Sequence, residues 1–202
     1  MNKLINPFKY IAGWESFFIG LGILFATAFV GYLSGVHFPD LISVKTSSGL
    51  PFIVILAQSI SNWLVLSALL YFAGIVLSPS SIRFIDVFGT QAMARFPYLL
   101  VASTGFSPAL EKFGKHIMWS ALSIGEPTDL SSVELTTAII LIIFTLLSTI
   151  WLITLAFNAF KVSTNLKEAK LIISFIVIFI VSTIITGFIS NNILKAFNVT
   201  FS

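Results

Sequence analysis

The chain has 202 residues, of which 57% are hydrophobic and only 9% charged, where a soluble domain carries roughly a quarter charged; with a mean hydropathy of +1.02, its solvent is lipid. The net charge of +3 is scattered along the chain, which excludes the basic patch that nucleic acid needs. The absence of cysteine excludes disulfides, thiolate nucleophiles and Cys-ligated metals.

The opening stretch, "MNKLINPFKYIAGWESFFIGLGILF", has a basic start followed by apolar residues, as a signal peptide does. Its apolar part runs past signal length and no small-residue cleavage site follows, so it reads as a membrane span over about 14–36. Within that span Thr27, Gly31 and Gly35 form a ridge of small residues on which two helix backbones can approach closely. Such a ridge serves as a homo-oligomer seam or as a packing face within the chain; the second is favoured, because a helical bundle must bury several such faces.

The second span covers about 51–78, with Pro51 placed at a first-turn position where its missing N–H costs nothing. Gln58, Ser61 and Asn62 fall on one face of it, and the helical rise sets Asn62 roughly 16 Å deep. A weaker third span, about 86–106, carries Arg95 roughly 13 Å from its start and Pro97 two residues later. A short loop joins the two spans, so they should be antiparallel neighbours. A midplane arginine costs about 2.5–3.5 kcal/mol and must find partners. Gln58, Asn62 and the Met93 carbonyl that Pro97 leaves without a donor are the expected ones, with the third helix broken near Pro97. The competing reading has Arg95 snorkel to the surface on its long stem.

After the third span, "PALEKFGKHIMWSAL" places Leu110, Phe113, Ile117, Met118, Ala121 and Leu122 opposite Glu111, Lys112, Lys115 and Ser120. That pattern suits an interfacial amphipathic helix with Trp119 at headgroup depth, or an extension of the third span beyond the membrane. Ser131 to Glu134 fits a capping box at the start of a span over about 134–160, and Asn165 to Glu168 offers similar geometry for the last, about 170–197. The expected fold is therefore an all-α polytopic bundle of five spans forming one domain, 1–202. Lys3, Lys9, Arg83, Lys161, Lys167 and Lys170 on one side outnumber Lys45, Lys112, Lys115 and Lys195 on the other, so the N-terminus is expected in the cytoplasm and the C-terminus outside.

No H-E-x-x-H, G-x-S-x-G or phosphate-binding glycine loop is present, so neither catalysis nor a cofactor is expected. His37 and His116 could meet on the outer side, with Asp40 nearby, as a metal or proton site, but a folded metal site draws on three or four convergent ligands and two histidines in loops are better read as solvated. The "NVT" at Asn198 is formally a glycosylation acceptor pressed against the membrane end, and is read as idle.

The motifs "FGTQAMARFPYLL" and "TIWLITLAFNAFKVSTNLKEAKLIISFIVIF", with the stretch from Trp151 to Lys170 most specific, resemble the Yip-domain family of Rab-interacting membrane proteins over nearly the whole chain. The resemblance implies a non-enzymatic membrane scaffold or adaptor that meets protein partners and membrane lipids. Eukaryotic members bind prenylated Rab-type GTPases through a long soluble region before the spans. Here about a dozen residues precede the first span, so a stand-alone bacterial type in an inner membrane is expected and a Rab partner is not. Loops around Arg83 and around Lys161, Lys167 and Lys170 are the expected docking surfaces. The alternative is a transporter or channel for a small solute or ion, built on the polar cluster at Arg95; it would show internal repeats and paired broken helices.

Overall fold

The computed structural model describes residues 2–47 and 49–197; Asn198, with its glycosylation motif, and Ser202 lie outside them. Apart from a ribbon of two two-residue strands, the regular structure of the described chain is helical, with these α-helices: α1 (Asn2–Ile5), α2 (Gly13–Ser34), α3 (Phe52–Leu77), α4 (Phe84–Met93), α5 (Phe96–Ala102), α6 (Ala109–Leu122), α7 (Ser132–Thr164) and α8 (Glu168–Ala196). Four of these, α2, α3, α7 and α8, are long and apolar enough to cross a membrane.

The third apolar segment is not one such helix. α4 closes where the Ala94 N–H reaches Thr90 O at 2.9 Å, and Arg95, at φ −81° and ψ 1°, leaves helical geometry and stands as the N-cap of α5. The interruption therefore lies at Ala94–Arg95, two residues earlier than expected. Pro97 does not break a helix: it sits in the first turn of α5, where an N–H would have no intrahelical acceptor.

This interrupted pair lies along α2 from end to end, in parallel. Gly89 meets Ser16 and Phe17 near the start, Gly20 meets Ala92 and Met93 midway, and at the far end Ser34 Oγ donates to Ala102 O at 2.6 Å. A β-carbon on Gly20 would stand 2.7 Å from the Met93 amide nitrogen, so only glycine allows that contact. Against α3 the pair runs antiparallel, as the short loop requires, with Trp63 Nε1 donating to Phe88 O at 2.9 Å and Tyr71 packing edge-on against Phe84. On its other flank lies α7, where Gln91 Nε2 donates to Ala156 O at 2.9 Å. α8 completes the bundle against α3, and Phe160, Phe175 and Phe179 join Trp63 and Phe88 in the largest core cluster.

The small-residue ridge of α2 is used within the chain. Gly31 faces the Val36 carbonyl and Ile55, while Gly35, at φ 74°, turns the chain out of the helix. The residues before α2 also pack back onto the bundle. Phe8 is buried in the core, and Trp151 Nε1 and Asn158 Nδ2 of α7 donate to the carbonyls of Leu4 and Ile5, each at 3.0 Å.

α6 is a helix of its own, begun after Ser107 and Pro108, so it does not extend the third segment. It packs beside the start of α7, where Lys112 pairs with Glu134 and His116 Nδ1 lies 2.7 Å from Thr128 O. The capping box forms as its sequence demands, with the Glu134 amide donating to Ser131 Oγ and the Ser131 amide to the Glu134 carboxylate. Asn165 behaves otherwise than expected: at φ 52° it ends α7 in the left-handed region, and Lys167 is the N-cap of α8. Pro51 likewise is the N-cap of α3 rather than a first-turn residue.

Candidate functional site: a polar centre around a buried loop

The polar side chains of the spans converge on a segment that the sequence reading left in solvent. After Gly35 turns the chain, Val36 and His37 pair with Thr46 and Lys45 in a short antiparallel ribbon, and between these strands Phe38, Pro39 and Leu41 are buried. Asp40 shapes the turn: its Oδ1 accepts from the amides of Ile42 and Ser43, both at 2.8 Å.

Helices on two sides hold this loop through its backbone. Asn62 Nδ2 donates to the carbonyls of Phe38 at 2.8 Å and Asp40 at 3.0 Å, and the Tyr98 hydroxyl donates to those of Leu41 at 2.9 Å and Ile42 at 3.2 Å. The Tyr98 ring stacks on Phe38 with centroids 4.4 Å apart. Asn62 stands roughly 15 Å along α3 by the helical rise, so the loop reaches the middle of the helical layer. Non-helical backbone at such a depth survives only inside protein or beside water, and here side chains supply the partners that lipid cannot.

Gln58, one turn nearer the start of α3, ties the ribbon to α8. Its Nε2 donates to Ser190 Oγ at 2.8 Å, which turns its Oε1 toward His37 Nδ1 at 3.0 Å. That arrangement assigns the proton to Nδ1. His37 is only 1% exposed, which corrects its reading as a solvated histidine. Burial holds its pKa below the ordinary 6.5, the nearby Lys45 charge adds to the lowering, and the Gln58 hydrogen bond opposes both.

Arg95 does not join Asn62 or Gln58: both ends of the Gln58 amide and the Asn62 Nδ2 are engaged elsewhere, and the Asn62 Oδ1 is buried without a partner among the described residues. Nor does it snorkel: it is 6% exposed. Among the described residues no hydrogen bond or ion pair to its guanidinium is found, and the ion pairs present, Lys112–Glu134 and Lys115–Glu111, lie on α6 and the start of α7. The Tyr98 hydroxyl is within electrostatic reach of both the Arg95 guanidinium and the Asp40 carboxylate, with Thr149 of α7 beside it. Tyr98 is thus the central residue that the sequence reading missed. A signal was available, since a tyrosine buried in an apolar segment must place its O–H on some acceptor.

Among the described residues no group of three metal-ligating side chains forms; His37 serves the loop and His116 serves α6. The expected docking residues Arg83, Lys161, Lys167 and Lys170 are all exposed. Lys167 and Lys170 line an open groove between Leu77–Pro79 and Asn165–Lys170, two loops tied together where Ser78 Oγ donates to Thr164 O at 2.7 Å. No family model, no curated protein and no solved structure matches the chain.

Proposed function

We propose that the chain is a non-enzymatic, five-span membrane protein of the Yip type, with a cytoplasmic N-terminus, acting as a scaffold or adaptor in a bacterial inner membrane. The fifth crossing is the interrupted α4–α5 segment, and its support is the end-to-end course beside α2, itself long enough to span. The observation that carries the functional reading is the groove between Leu77–Pro79 and Asn165–Lys170, lined by Lys167 and Lys170 with Glu168 between them and so carrying a net positive charge, on the proposed cytoplasmic face. Such a surface suits acidic segments of a protein partner or anionic headgroups. Quantitative affinity capture from native membranes tests it: a defined partner should co-purify with the wild type and be lost from a Lys167→Glu, Lys170→Glu variant. A partner retained equally by that variant counts against the groove, and no partner at all counts against the adaptor.

A second reading, a carrier or channel for a small solute or ion, is favoured by one specific observation. Two non-helical stretches, residues 36–44 and Ala94–Arg95, belong to segments joined by Tyr98 at similar depth, as in transporters with discontinuous helices. Flux into liposomes that requires the protein and disappears with Arg95→Leu would favour this reading over the adaptor.

A further inference from the structure

We propose that the groove between Leu77–Pro79 and Asn165–Lys170 binds one anionic phospholipid of the inner leaflet, held by its phosphodiester head. The site rests on the membrane course and the groove charge proposed above, and it commits the groove to lipid rather than to an acidic protein segment.

The walls of the groove are fixed by contacts of the chain with itself. Ser78 Oγ donates to Thr164 O at 2.7 Å, which ties the end of α3 to the end of α7. One turn earlier the helix comes closer still, since a β-carbon on Gly74 would stand 3.0 Å from the Thr164 methyl. Leu166, between the walls, is buried. The volume enclosed, about 710 Å³, lies in the range of small-molecule sites.

Position and charge select the ligand. Leu77 is the last residue of α3 and Lys170 stands in the first turn of α8, so the groove opens where two helices of spanning length end, at headgroup level. The next residues inward are exposed and apolar on both helices: Ile75 and Val76, the latter 79% exposed, on α3, and Ile172 and Ile173, the latter 62% exposed, on α8. In a bilayer those residues meet acyl chain. A phospholipid matches both levels, with its head in the groove and its chains beside the two helices, whereas an acidic peptide in water reaches only the polar level. Lys167 and Lys170 against Glu168 leave one net positive charge, which a single phosphodiester neutralises. The exposed Asn165 adds an amide donor for its oxygens. A zwitterionic lipid would bring a second cation to the same place.

A tryptophan beside the groove supplies the readout. In the detergent-solubilised full chain, Val76→Trp places a reporter next to the lining residue Leu77, and the protein without that change measures the background from Trp14, Trp63, Trp119 and Trp151. Phosphatidylglycerol and phosphatidylcholine with the same brominated chains are compared as quenchers in mixed micelles. The reporter should half-quench at about fivefold lower mole fraction of phosphatidylglycerol, the preference that one net charge near the membrane surface gives. Lys167→Gln with Lys170→Gln should bring the two lipids together, and Glu168→Gln should widen the gap. Equal quenching by the two lipids, or a gap that neither charge change moves, overturns the proposal. Glycerol 3-phosphate in excess should leave the quenching unchanged; displacement of phosphatidylglycerol by it would make a free phosphate ester the ligand and overturn the lipid. Displacement by a decaglutamate peptide would likewise overturn the lipid and return the groove to a protein partner. Absence of any co-purifying protein, with the lipid preference intact, would sink the adaptor and leave this site standing.

Discussion

Asn62, in the middle of α3, donates its side-chain amide to the backbone carbonyl of Phe38 at 2.8 Å. A polar residue that sequence reasoning assigns to a helix–helix contact thus holds a loop in place. The consequence is a hierarchy in the polar centre: Asn62 and Tyr98 fix the loop backbone, Gln58 fixes the ribbon beside it, and Arg95 takes part in none of these bonds.

Replacing Asn62 by Leu should destabilise the fold by about 1–3 kcal/mol, because two buried carbonyls lose their donor together. Unfolding of the solubilised protein in a graded denaturing detergent gives the figure. The same change combined with Arg95→Leu should be additive to within about 0.5 kcal/mol, since the two side chains share no partner. A large non-additive term would restore the direct Arg95–Asn62 pairing that the sequence suggests and the structure lacks.

Tyr98 and Asn62 act on the same loop from different helices, so their losses should be coupled. Tyr98→Phe keeps the stacked ring on Phe38 and removes only the hydroxyl, for a loss of about 1 kcal/mol. With Asn62→Leu already present, that loss should change by at least about 0.5 kcal/mol. Labelling of a Ser43→Cys variant by a thiol reagent should quicken in the double variant, as the loop leaves the bundle. Labelling at the wild-type rate would mean that apolar burial of Phe38 and Leu41 holds the loop by itself.

Close approach of α2 and α4 rests on Gly20, and a nearby control exists. Gly20→Ala forces a methyl group onto Ala92 and the Met93 backbone and should cost about 1–3 kcal/mol. Gly22 has nothing within 4 Å of where its β-carbon would stand. Gly22→Ala should therefore be neutral or stabilise by about 0.5–1 kcal/mol through helix propensity. Equal effects of the two substitutions in the same denaturation assay would rule out the glycine contact as a packing determinant.

What the sequence made legible was whatever is decided locally. The capping box at Ser131 and Glu134 formed because its bonds join residues three apart, and α6 was visible in its own periodicity. Pairing at a distance was less legible. Counting helical rise gave Arg95 and Asn62 a common depth, but rise along an axis says nothing of the direction a side chain faces around it. Asn62 faces the loop, and Arg95 belongs to a segment whose interruption at Ala94 turns it further. The loop itself was hidden because Pro39 and Asp40 are ordinary turn formers. Its burial depends on donors 24 residues away in Asn62 and 57 away in Tyr98.

His37 gives a pH dependence whose direction follows from its burial. The folded imidazole has a pKa below the 6.5 of an exposed one, so between those two values the unfolded chain binds more protons than the folded one. Stability from this group is complete above about pH 6.5, falls as the pH drops below it, and levels off once the folded imidazole is protonated as well. The slope in that window cannot exceed about 1.4 kcal/mol per pH unit for one proton. Protonation also places a cation on the buried strand of the ribbon, near Lys45 of its exposed partner strand, so the loop between the strands should loosen as the bundle weakens. Denaturation midpoints of wild type and His37→Gln, taken from about pH 8 to about pH 5, isolate the effect, because the exposed carboxylates and His116 are common to both. The wild type should lose stability more steeply than the variant below about pH 6.5 and in parallel with it above. Parallel curves across the whole range would mean that the folded His37 titrates as freely as an exposed histidine, and its hydrogen bond to Gln58 would then carry no pH dependence.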